Sequence, residues 1–403
     1  TLLNRKKRRQ SRRMSTIQLS KDQQEAFDDI SEWYVYHQGS VPFLTLGGYA
    51  GTGKTTLMSY LYNKFNQSTI AYCAYTGKAA SVLRDKLNDQ DSSIDMNCSV
   101  STIHSLIYKP KLDAHGRVIG WNKKSNIDAD LVVVDEASMI GKSVHDDLLS
   151  YGVPILYVGD HGQLPPINES FNLMQEPMLR LETPHRFSES SPLIKLSMLA
   201  RIEGKIPYGE FGETVRKLPK SEISTPGGYI DKFVKSNTML DGSSVVICGF
   251  NKTRIGLNSK IRDHNEFLEF TPMIGDRVIC LKNNKQANIP LYNGAHGTVR
   301  HISKLRNMEF ANAVVEMDGL HEDMFRGKMS YGALFKEKID AFAMPQAQEV
   351  FDYGYAITAH KSQGSEFHRV LVIEEGKHIW AENWNRWLYT AITRSQKDLL
   401  IVG

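Results

Sequence analysis

The chain contains one segment whose residue types and spacing suit phosphate binding. GGYAGTGKTT (Gly47–Thr56) fits the pattern G-x-x-x-x-G-K-[ST] between an apolar run and a helical stretch. The residues that match the pattern are Gly48, Gly53, Lys54 and Thr55. In this context backbone N–H groups and a helix N-terminus cradle phosphate oxygens, Lys54 reaches the β- and γ-phosphates, and the Thr55 hydroxyl takes a Mg²⁺ position. The segment predicts a nucleotide site, and a glycine-rich turn that matches by chance is the less favoured alternative.

A phosphate site of this kind also needs a carboxylate at the end of a neighbouring strand. LVVVDEAS places Asp135 where an apolar run stops, with Glu136 beside it. We expect Asp135 to hold Mg²⁺ through water and Glu136 to orient and deprotonate the attacking water. Alone, such a pair is often only a helix N-cap. Together with the phosphate-binding segment it indicates hydrolysis of a nucleoside triphosphate.

Four further residues are candidates for the same site. VGDHGQLPPI follows the next apolar run, and its Asp160 and Gln163 can reach the γ-phosphate, although the segment could equally be a polar turn stiffened by prolines. Charge that develops on the γ-phosphate calls for arginines, and the candidates are Arg186 in LETPHRF and Arg394 in LYTAITRS. If Arg394 reaches phosphate bound by Lys54, the nucleotide lies between two domains and its hydrolysis changes how they close.

Apolar, β-rich runs alternate with helical stretches, which is typical of parallel sheets covered on both faces. The runs are FLTLGG, TIAYCAY, ADLVVVDEAS, PILYVGD, SSVVICGF, RVLVIEE and KDLLIVG. We therefore predict two α/β domains. Residues 107–126 interrupt the alternation as an inserted β-hairpin, and the glycine-bounded β runs of 271–344 predict a small inserted barrel.

The composition indicates a soluble globular chain that is long enough for two or more domains. Of the 403 residues, 41% are hydrophobic and 23% are charged, and no apolar run approaches the ~18 residues of a membrane span. The cysteines are Cys73, Cys98, Cys248 and Cys280. They form no CxxC pair, which argues against a zinc site or a disulfide framework and favours a reducing, intracellular compartment.

The first thirteen residues are strongly basic. They contain seven Lys and Arg and no acid, whereas the formal net charge of the whole chain is only +4. The remainder is therefore slightly acidic, and a polyanion must be gripped by a local groove. The arm 1–13 could contact nucleic acid, serve as a nuclear signal, or be an artificial leader before a true start at Met14.

An ordered series of segments resembles the helicase motifs of superfamily 1. The series is LSKDQQEAF, GGYAGTGKTT, AYTGKAA, STIHS, VVVDEAS, GDHGQLPPI, LETPHRF, YAITAHKSQGSEF and LYTAITRS. GDHGQLPP and TAHKSQGSEF are similar to the RecD and Dda group, superfamily 1B, rather than to the UvrD group. The resemblance covers nearly the whole chain after Met14. It implies an ATP- and Mg²⁺-dependent DNA helicase that moves 5′ to 3′ along single-stranded DNA.

The same resemblance implies an architecture and a set of partners. The expected fold has two RecA-like P-loop domains, at 14–200 and at 201–270 with 345–403, and 107–126 and 271–344 are expected to be a pin and an SH3-like barrel. The expected partners are single-stranded DNA, forked duplex DNA and proteins of replication or recombination. No membrane association is expected. The protein is expected to act as a monomer in the cytoplasm, which would be that of a host cell if the protein is viral.

The resemblance also assigns roles to residues at matching motif positions. Gln23 would recognise the adenine edge, and Gly364 and Glu366 would link the nucleotide cleft to the DNA track. The remaining nucleotide contacts would be Gly48, Gly51, Thr52, Gly53, Lys54, Thr55 and Thr56, with Thr55 and Asp135 as the metal ligands. The catalytic set would be Lys54, Asp135, Glu136, Gln163, Arg186 and Arg394.

The expected DNA track combines hydroxyls and cations for phosphate with imidazoles for base stacking. Its predicted members are Thr76, Lys78, Thr102, His104, His115, Thr358, His360 and Lys361. Taken singly, His104 and His360 are more often ordinary structural histidines. Tyr75 departs from the family, where a Pro commonly precedes the Thr. The hairpin could split the duplex at the fork, with His115 near its tip and Trp121 on a flank, although a Trp in a short hairpin more often packs against the body. The stripe Trp380, Trp384 and Trp387 is predicted to be the packed face of a helix.

Two other functions remain open from the sequence. One is an RNA helicase of the related Upf-like group, which shares the core motifs. The other is a non-motor P-loop switch, which is disfavoured because it would not need Arg394, KSQGSEF or a pin.

Overall fold

The structure, a computed structural model, describes most of the chain from residue 19 onward. The described residues are 19–65, 67–89, 98–112, 118–166, 170–185, 191–269, 271–284, 287–289, 291–304, 310–318, 324–330, 349–379 and 381–403. The basic arm 1–13 and the predicted residues His115, Arg186 and Trp380 lie outside them.

The elements alternate along the chain as the sequence pattern predicts. The described strands are β1 (Phe43–Gly48), β2 (Ile70–Ala74), β3 (Cys98–Thr102), β4 (Tyr108–Leu112), β5 (Val118–Lys123), β6 (Leu131–Asp135), β7 (Ile155–Gly159), β8 (Leu179–Leu181), β9 (Gly209–Phe211), β10 (Val215–Leu218), β11 (Ser244–Cys248), β12 (Arg277–Cys280), β13 (His296–Lys304), β14 (Phe310–Met317), β15 (Met324–Ser330), β16 (Glu349–Tyr353), β17 (Ala356–Thr358), β18 (Phe367–Ile373) and β19 (Ser395–Val402). The described α-helices are α1 (Lys21–Glu32), α2 (Lys54–Lys64), α3 (Gly77–Asp89), α4 (Ile103–Ile107), α5 (Lys142–Leu149), α6 (Pro192–Glu203), α7 (Tyr229–Val234), α8 (Asn237–Leu240), α9 (Asn251–His264), α10 (Ala359–Ser362) and α11 (Trp384–Ile392). A π-helical turn (Trp33–His37) and 3₁₀ turns (Ala137–Met139 and Lys220–Ser224) complete the helical elements.

The first sheet has six parallel strands in the order β3-β2-β6-β7-β1-β8. Its central strands carry continuous apolar sequence, and Leu131–Val134 of β6 are fully buried. Burial on both faces is what a parallel sheet with helices on either side requires. β6, β7 and β1 are adjacent in this order. Acidic residues lie at the carboxyl ends of β6 and β7, and the glycine-rich loop lies at the carboxyl end of β1.

The second sheet has the order β17-β11-β18-β19-β10-β9. Its strands are parallel except for β9, which pairs antiparallel at one edge. Helices α6 and α11 pack on this sheet in one core, which includes Leu196, Val245, Val370 and Trp387. The predicted parallel-sheet α/β architecture is therefore confirmed for both halves.

The expected boundary at residue 200 falls inside α6. That helix packs in the core of the second sheet, where Leu193, Leu196 and Ala200 are buried. The apolar periodicity of a helix does not indicate which of two adjacent sheets covers it, so the sequence pattern could not fix this point.

A closed barrel of β12 to β16 follows α9, and an antiparallel pair of strands, β4 and β5, follows α4. The barrel interior contains Val299, Val315, Phe325 and Phe351. Its last strand, β16, lies beyond residue 344, where the sequence predicts the end of the inserted barrel. Closure explains the difference, because β16 pairs with β12 on one side and β15 on the other.

The tryptophan-rich helix α11 is a packing element, as predicted, and it contains Trp384 and Trp387 of the predicted stripe. Trp384 and Trp387 are buried and stack with ring centroids 5.2 Å apart. Trp384 Nε1 donates to Gly204 O at 2.7 Å, which joins α11 to the end of α6. Among the described helices, none is long and apolar enough to cross a membrane.

A buried ion pair joins α9 to the first barrel strand. Arg262 donates to both carboxylate oxygens of Asp276 at 2.9 Å, and these two side chains are 5% and 0% exposed. Asp276 also accepts from Tyr355 Oη and from the Met273 backbone. We expect Asp276→Ala to lower the free energy of unfolding by about 3–5 kcal/mol, because it leaves a buried guanidinium uncompensated.

The matched control is Arg300→Ala, which breaks an exposed barrel ion pair with Glu316. It should cost less than about 1 kcal/mol. Urea unfolding followed by circular dichroism would measure both changes in the free energy of unfolding. Equal costs for the two variants would contradict the role assigned to the buried pair.

Candidate nucleotide site and nucleic-acid track

The loop from Gly48 to Lys54 connects β1 to α2 in a conformation that depends on glycine. Gly51 and Gly53 have φ of 82° and 78°, in the left-handed region that other residues rarely adopt. A Cβ on Gly53 would lie 2.2 Å from Gln23 Nε2. The loop therefore winds tightly at the N-terminus of α2, where unpaired backbone N–H groups favour an anion.

Lys54 lies over this loop. Its ammonium donates to Gly48 O at 2.8 Å and to Tyr49 O at 3.0 Å. The acceptors of this cation are therefore backbone carbonyls of the loop itself, so its positive charge lies against the loop. Thr55 and Thr56 follow in the first turn of α2 and are partly buried.

The acidic pair occupies the carboxyl end of β6. Glu136 has φ of 54°, an uncommon value for a residue other than glycine, and its N–H donates to Asp135 Oδ1 at 2.9 Å. Burial raises the pKa of both carboxyls, and for Glu136 burial and the adjacent Asp135 charge raise the pKa to about 7. Arg394 and Lys54 oppose that rise at Glu136, so both cations act on this carboxyl.

Asp160 follows β7 and is fully buried. Its carboxylate accepts from Gly162 N at 2.9 Å, from Gln163 Nε2 at 3.2 Å and from Tyr389 Oη at 2.8 Å. The other amide atom, Gln163 Oε1, is buried and has no hydrogen-bond partner among the described residues. A buried polar atom without a partner is costly, so this amide is poised to accept from a group that enters the site.

Arg394 follows α11 and is 4% exposed. Its guanidinium donates to Thr390 O at 3.0 Å, to Ser365 O at 3.2 Å and to Thr393 Oγ1 at 3.1 Å. All three partners belong to the second α/β unit, while the electrostatic effect on Glu136 crosses to the first. The structure thus brings Arg394 to the edge of the site without a direct contact to the glycine-rich loop.

Direct hydrogen bonds also join the two units beside this site. Leu164 N donates to Thr390 Oγ1 at 3.0 Å, and Gln363 Nε2 donates to Leu164 O at 3.0 Å. The loop, the acidic residues and Arg394 therefore meet in a cleft between two parallel sheets.

Two protein-family profiles match the chain, one described as "AAA domain" over residues 18–212 and one as "UvrD-like helicase C-terminal domain" over residues 353–402. The ATP-dependent RecD2 DNA helicase of Deinococcus radiodurans is 26% identical over 89% of this chain and 47% of its own length. The RecBCD enzyme subunit RecD of Buchnera aphidicola is 23% identical over 88% of this chain and 69% of its own.

Among solved structures, the Pif1 helicase from Bacteroides in complex with ADP-AlF3 and ssDNA superposes with a TM-score of 0.56. It is 17% identical and covers 96% of this chain and 92% of its own, which shows the helicase-like α/β fold. These matches support a likeness in sequence to RecD-type helicases of superfamily 1B and a likeness in fold to Pif1 helicase. It spans about half the length, or less, of several curated relatives that it matches.

Gln23 lies directly on the glycine-rich loop. Its Nε2 donates to Thr52 O at 2.9 Å, and its Oε1 accepts from Ser20 N at 3.0 Å at the start of α1. Gly364 has φ of 71°, and its position after α10 requires the left-handed conformation. Glu366 is exposed and accepts from Gln396 Nε2 at 3.1 Å.

The three predicted track threonines share one local design. Each lies between the end of a strand and the start of a helix, and its Oγ1 accepts a backbone N–H of the first turn: Thr76 from Ala79, Thr102 from Ser105 and Thr358 from Lys361. These hydroxyls therefore act as helix N-caps in the free chain.

The two predicted track lysines are partly buried by different elements. Lys78 lies over the Phe367 ring, and Lys361 Nζ donates to Asn293 Oδ1 from the loop before β13. Burial lowers the pKa of each lysine to about 8. The same loop places Tyr292 against Gly77, where a Cβ would lie 2.3 Å from the Tyr292 ring.

The predicted stacking histidines have different surroundings. His104 lies among Tyr75, Tyr108 and Trp121, with ring centroids 6.4, 5.3 and 5.8 Å away. Trp121 packs there as predicted, although it is 45% exposed. Burial lowers the pKa of His104 and of His360, which favours the neutral form of both rings.

Three contacts at this site are absent from the sequence-based set. They come from Tyr389, Asn293 and Tyr292. Tyr389 lies within LYTAITRS, whose helical spacing places it one turn before the last residues of α11, but nothing in the pattern shows that the hydroxyl crosses to the other unit. The NG of LYNGAHG indicates a turn and does not reveal which surface the turn meets.

The raised pKa of Glu136 predicts a stability that falls as pH rises. Below about pH 4.5 the carboxyl is protonated in the folded and the unfolded chain alike. Between about pH 4.5 and 7 the folded chain keeps a proton that the unfolded chain releases, so the stability is progressively lost. We expect Glu136→Gln to raise the free energy of unfolding at pH 8 by about 1–3 kcal/mol and to have little effect at pH 4.

Urea unfolding at a series of pH values measures this difference. The exposed Glu203→Gln on α6 is the control and should follow the wild-type pH dependence. A Glu136→Gln variant with the wild-type slope between pH 5 and 7 would refute the buried, proton-retaining carboxyl.

Proposed function

We propose that the chain is an ATP- and Mg²⁺-dependent DNA helicase that moves 5′ to 3′ along single-stranded DNA and unwinds duplex DNA. The observation that carries the proposal is that Arg394 of the second unit and Lys54 of the first both act electrostatically on Glu136, beside Asp135. A cleft of this kind lets the state of the nucleotide decide how the two sheets are arranged. The names of the relatives, an ATP-dependent DNA helicase and a Pif1 helicase with ssDNA, support this choice.

The residues fit a nucleoside triphosphate. Gly51 and Gly53 leave the loop backbone open to phosphate, and Lys54 has only loop carbonyls as acceptors among its hydrogen bonds to the described residues. Gln163 Oε1 is buried without a hydrogen-bond partner among the described residues, so it can accept a hydrogen bond from a bound group. We assign phosphate binding to Gly48, Gly51, Thr52, Gly53, Lys54, Thr55 and Thr56, and adenine recognition to Gln23.

The residues also fit Mg²⁺. Thr55 and Asp135 offer a hydroxyl and a carboxylate, and Mg²⁺ is usually held by one or two such protein ligands together with waters and substrate phosphates. When bound, the ion would neutralise charge on the phosphates. No group of three or more His, Cys, Asp or Glu side chains near one another was found in the described parts of the chain, so a metal held by the protein alone is not proposed.

The proposed chemistry uses Glu136 as the base. Its pKa of about 7 suits a group that takes a proton from water near neutral pH. Arg394, and Arg186 beyond the described residues, would supply positive charge to the transition state. For Arg394 this requires an exchange of its contacts with Thr390 O and Ser365 O for the nucleotide.

We propose that the DNA track passes between the barrel and the two α/β units. Lys78 comes from the first unit and Lys361 from the second, so a DNA strand bound by both lysines would respond to any change in the relative position of the two units. Thr76, Thr102, Thr358, His104, His115 and His360 are the other proposed contacts, with Gly364 and Glu366 as the link to the nucleotide.

We propose the domain division that the sequence predicts: domain 1A at 14–200 with the pin at 107–126, domain 2A at 201–270 with 345–403, and the SH3-like domain 2B at 271–344. In the structure, α6 packs on the second sheet and β16 belongs to the barrel, so these two elements extend past the proposed bounds. The β4–β5 pair is the candidate pin, and the closed barrel is the candidate SH3-like module.

Lys54→Ala tests the nucleotide assignment. It removes the cation that reaches the β- and γ-phosphates, so ATPase activity stimulated by single-stranded DNA should fall at least about a hundredfold, while binding of oligo(dT) stays within about threefold. A phosphate-release assay and fluorescence anisotropy measure the two properties. Lys64→Ala, at the exposed end of the same helix, should leave both unchanged.

Retained turnover in Lys54→Ala would refute the assignment. Comparison of poly(dT) with poly(U) in the same assay tests the RNA alternative, because only RNA carries the 2′-OH. Stronger stimulation by poly(U) would favour an RNA helicase.

Direction of movement is tested with tailed duplexes. A duplex with a 5′ single-stranded tail should unwind with ATP, and the same duplex with only a 3′ tail should not. Unwinding from the 3′ tail alone would contradict the proposed polarity. Failure of both substrates beside intact DNA-stimulated ATPase would favour a non-motor switch.

A further inference from the structure

One tyrosine hydroxyl of the second unit reaches the glycine-rich loop of the first. Tyr389 Oη accepts from Ala50 N at 2.9 Å and donates to Asp160 Oδ2 at 2.8 Å. Ala50 lies inside the phosphate-binding loop, two residues after Gly48, and Asp160 directly follows the neighbouring strand β7. A single oxygen atom therefore fixes the loop backbone relative to the carboxyl end of β7.

The protonation of this hydroxyl is fixed by its surroundings. Tyr389 is 1% exposed, and burial with the Asp160 carboxylate raises its pKa far above the ordinary value. The O–H is then always available to donate to Asp160, and its lone pair is available to Ala50 N–H. Removal of the oxygen would leave a backbone N–H and a buried carboxylate each short of one partner, which is costly in a dry environment.

The ring is positioned as closely as the hydroxyl. A Cβ on Gly162 would lie 2.9 Å from Tyr389 Cε1, so the ring packs directly on the backbone between Asp160 and Gln163. Gly162 does not have a left-handed backbone, so the absent side chain, rather than φ, is what the ring requires. The ring also meets Tyr49 edge-on, with centroids 6.1 Å apart.

A second contact from the same unit holds the same part of the loop. The Arg201 guanidinium, on α6, lies 3.6 Å from the centre of the Tyr49 ring. On the first unit, His161 contacts Tyr49 with ring centroids 4.1 Å apart. Tyr49 and Ala50 are thus held by Arg201 and Tyr389 of the second unit, on a segment that the nucleotide motif leaves variable.

We propose that Tyr389 is a positioning residue of the ATPase site, which sets the backbone of Tyr49–Ala50 against Asp160 whenever the two units close. This inference rests on the proposed function for its kinetic consequence and on geometry alone for its structural one. The hydroxyl makes no contact with the reacting atoms in this account. It acts through the loop that binds the phosphates and through Asp160, which also holds Gln163 Nε2.

The first test needs no nucleotide. In the free protein, Tyr389→Phe should speed amide hydrogen exchange of the peptide that contains Ala50 at least about tenfold, because its N–H loses its acceptor. Tyr355→Phe is the matched control. Tyr355 is equally buried, donates to Asp276 Oδ1 at 2.9 Å and accepts from Arg277 N at 3.0 Å, away from the loop.

The second test is kinetic. With saturating poly(dT), Tyr389→Phe should lower kcat for ATP about tenfold, the usual consequence of losing one hydrogen bond to a charged group, while KM for ATP changes less than about threefold. Tyr355→Phe should keep kcat within about twofold of wild type. Thermal unfolding of both variants checks that they fold.

Gly162→Ala supplies an independent variant, because its Cβ would push the Tyr389 ring away while the hydroxyl remains. It should lower kcat to a similar extent, and the double variant Gly162→Ala with Tyr389→Phe should be no worse than the worse single variant. Strictly multiplicative losses would mean that the two residues act separately.

The outcomes separate this inference from the proposed function. An inactive wild-type protein would overturn the proposed function, and the hydrogen-exchange test would still decide whether Tyr389 holds Ala50. Unchanged exchange and unchanged kcat in Tyr389→Phe, beside an active wild type, would overturn the role of Tyr389. A fall in KM with kcat unchanged would also overturn it, because the hydroxyl would then merely occupy a position that the nucleotide takes.

Discussion

The carboxyl ends of three adjacent parallel strands determine where everything else in this molecule must lie. β6, β7 and β1 are neighbours in the first sheet, and they end at Asp135, just before Asp160, and at the glycine-rich loop. Parallel pairing brings these ends to one edge regardless of their separation in sequence. The acidic groups, the ammonium of Lys54 and the loop amides are therefore close together before any ligand is present.

Burial at this edge disfavours the charged forms of Asp135 and Glu136 and raises the pKa of both carboxyls. Lys54 of the first unit opposes this rise at both groups, Lys86 of the first unit opposes it at Asp135, and Arg394 of the second unit opposes it at Glu136. The second unit therefore adds positive charge beside a carboxyl of the first. The hydrogen bonds from Tyr389, Thr390 and Gln363 give the contact between the two units a fixed geometry. We propose that a site divided in this way couples nucleotide occupancy to the arrangement of the two sheets.

The sequence predicts this architecture well because the relevant signals are local. Runs such as LVVVD are apolar on both faces and become central parallel strands, and GGYAGTGKTT requires glycine where φ is positive. Contacts between elements carry no comparable signal. The packing of α6 on the second sheet, the closure of the barrel by β16 and the reach of Tyr389 to Ala50 each depend on the tertiary arrangement of distant segments. Helix and strand periodicity leave these choices open, since an apolar face indicates burial but not which element covers it.

The most direct test of the divided site is a structure of the chain with oligo(dT), ADP and aluminium fluoride. The account predicts that the Arg394 guanidinium leaves Thr390 O and Ser365 O and lies about 3 Å from the fluoride that replaces the γ-phosphate, opposite Lys54. Arg394 still bound to both carbonyls in a fully closed, nucleotide-bound structure would contradict the account.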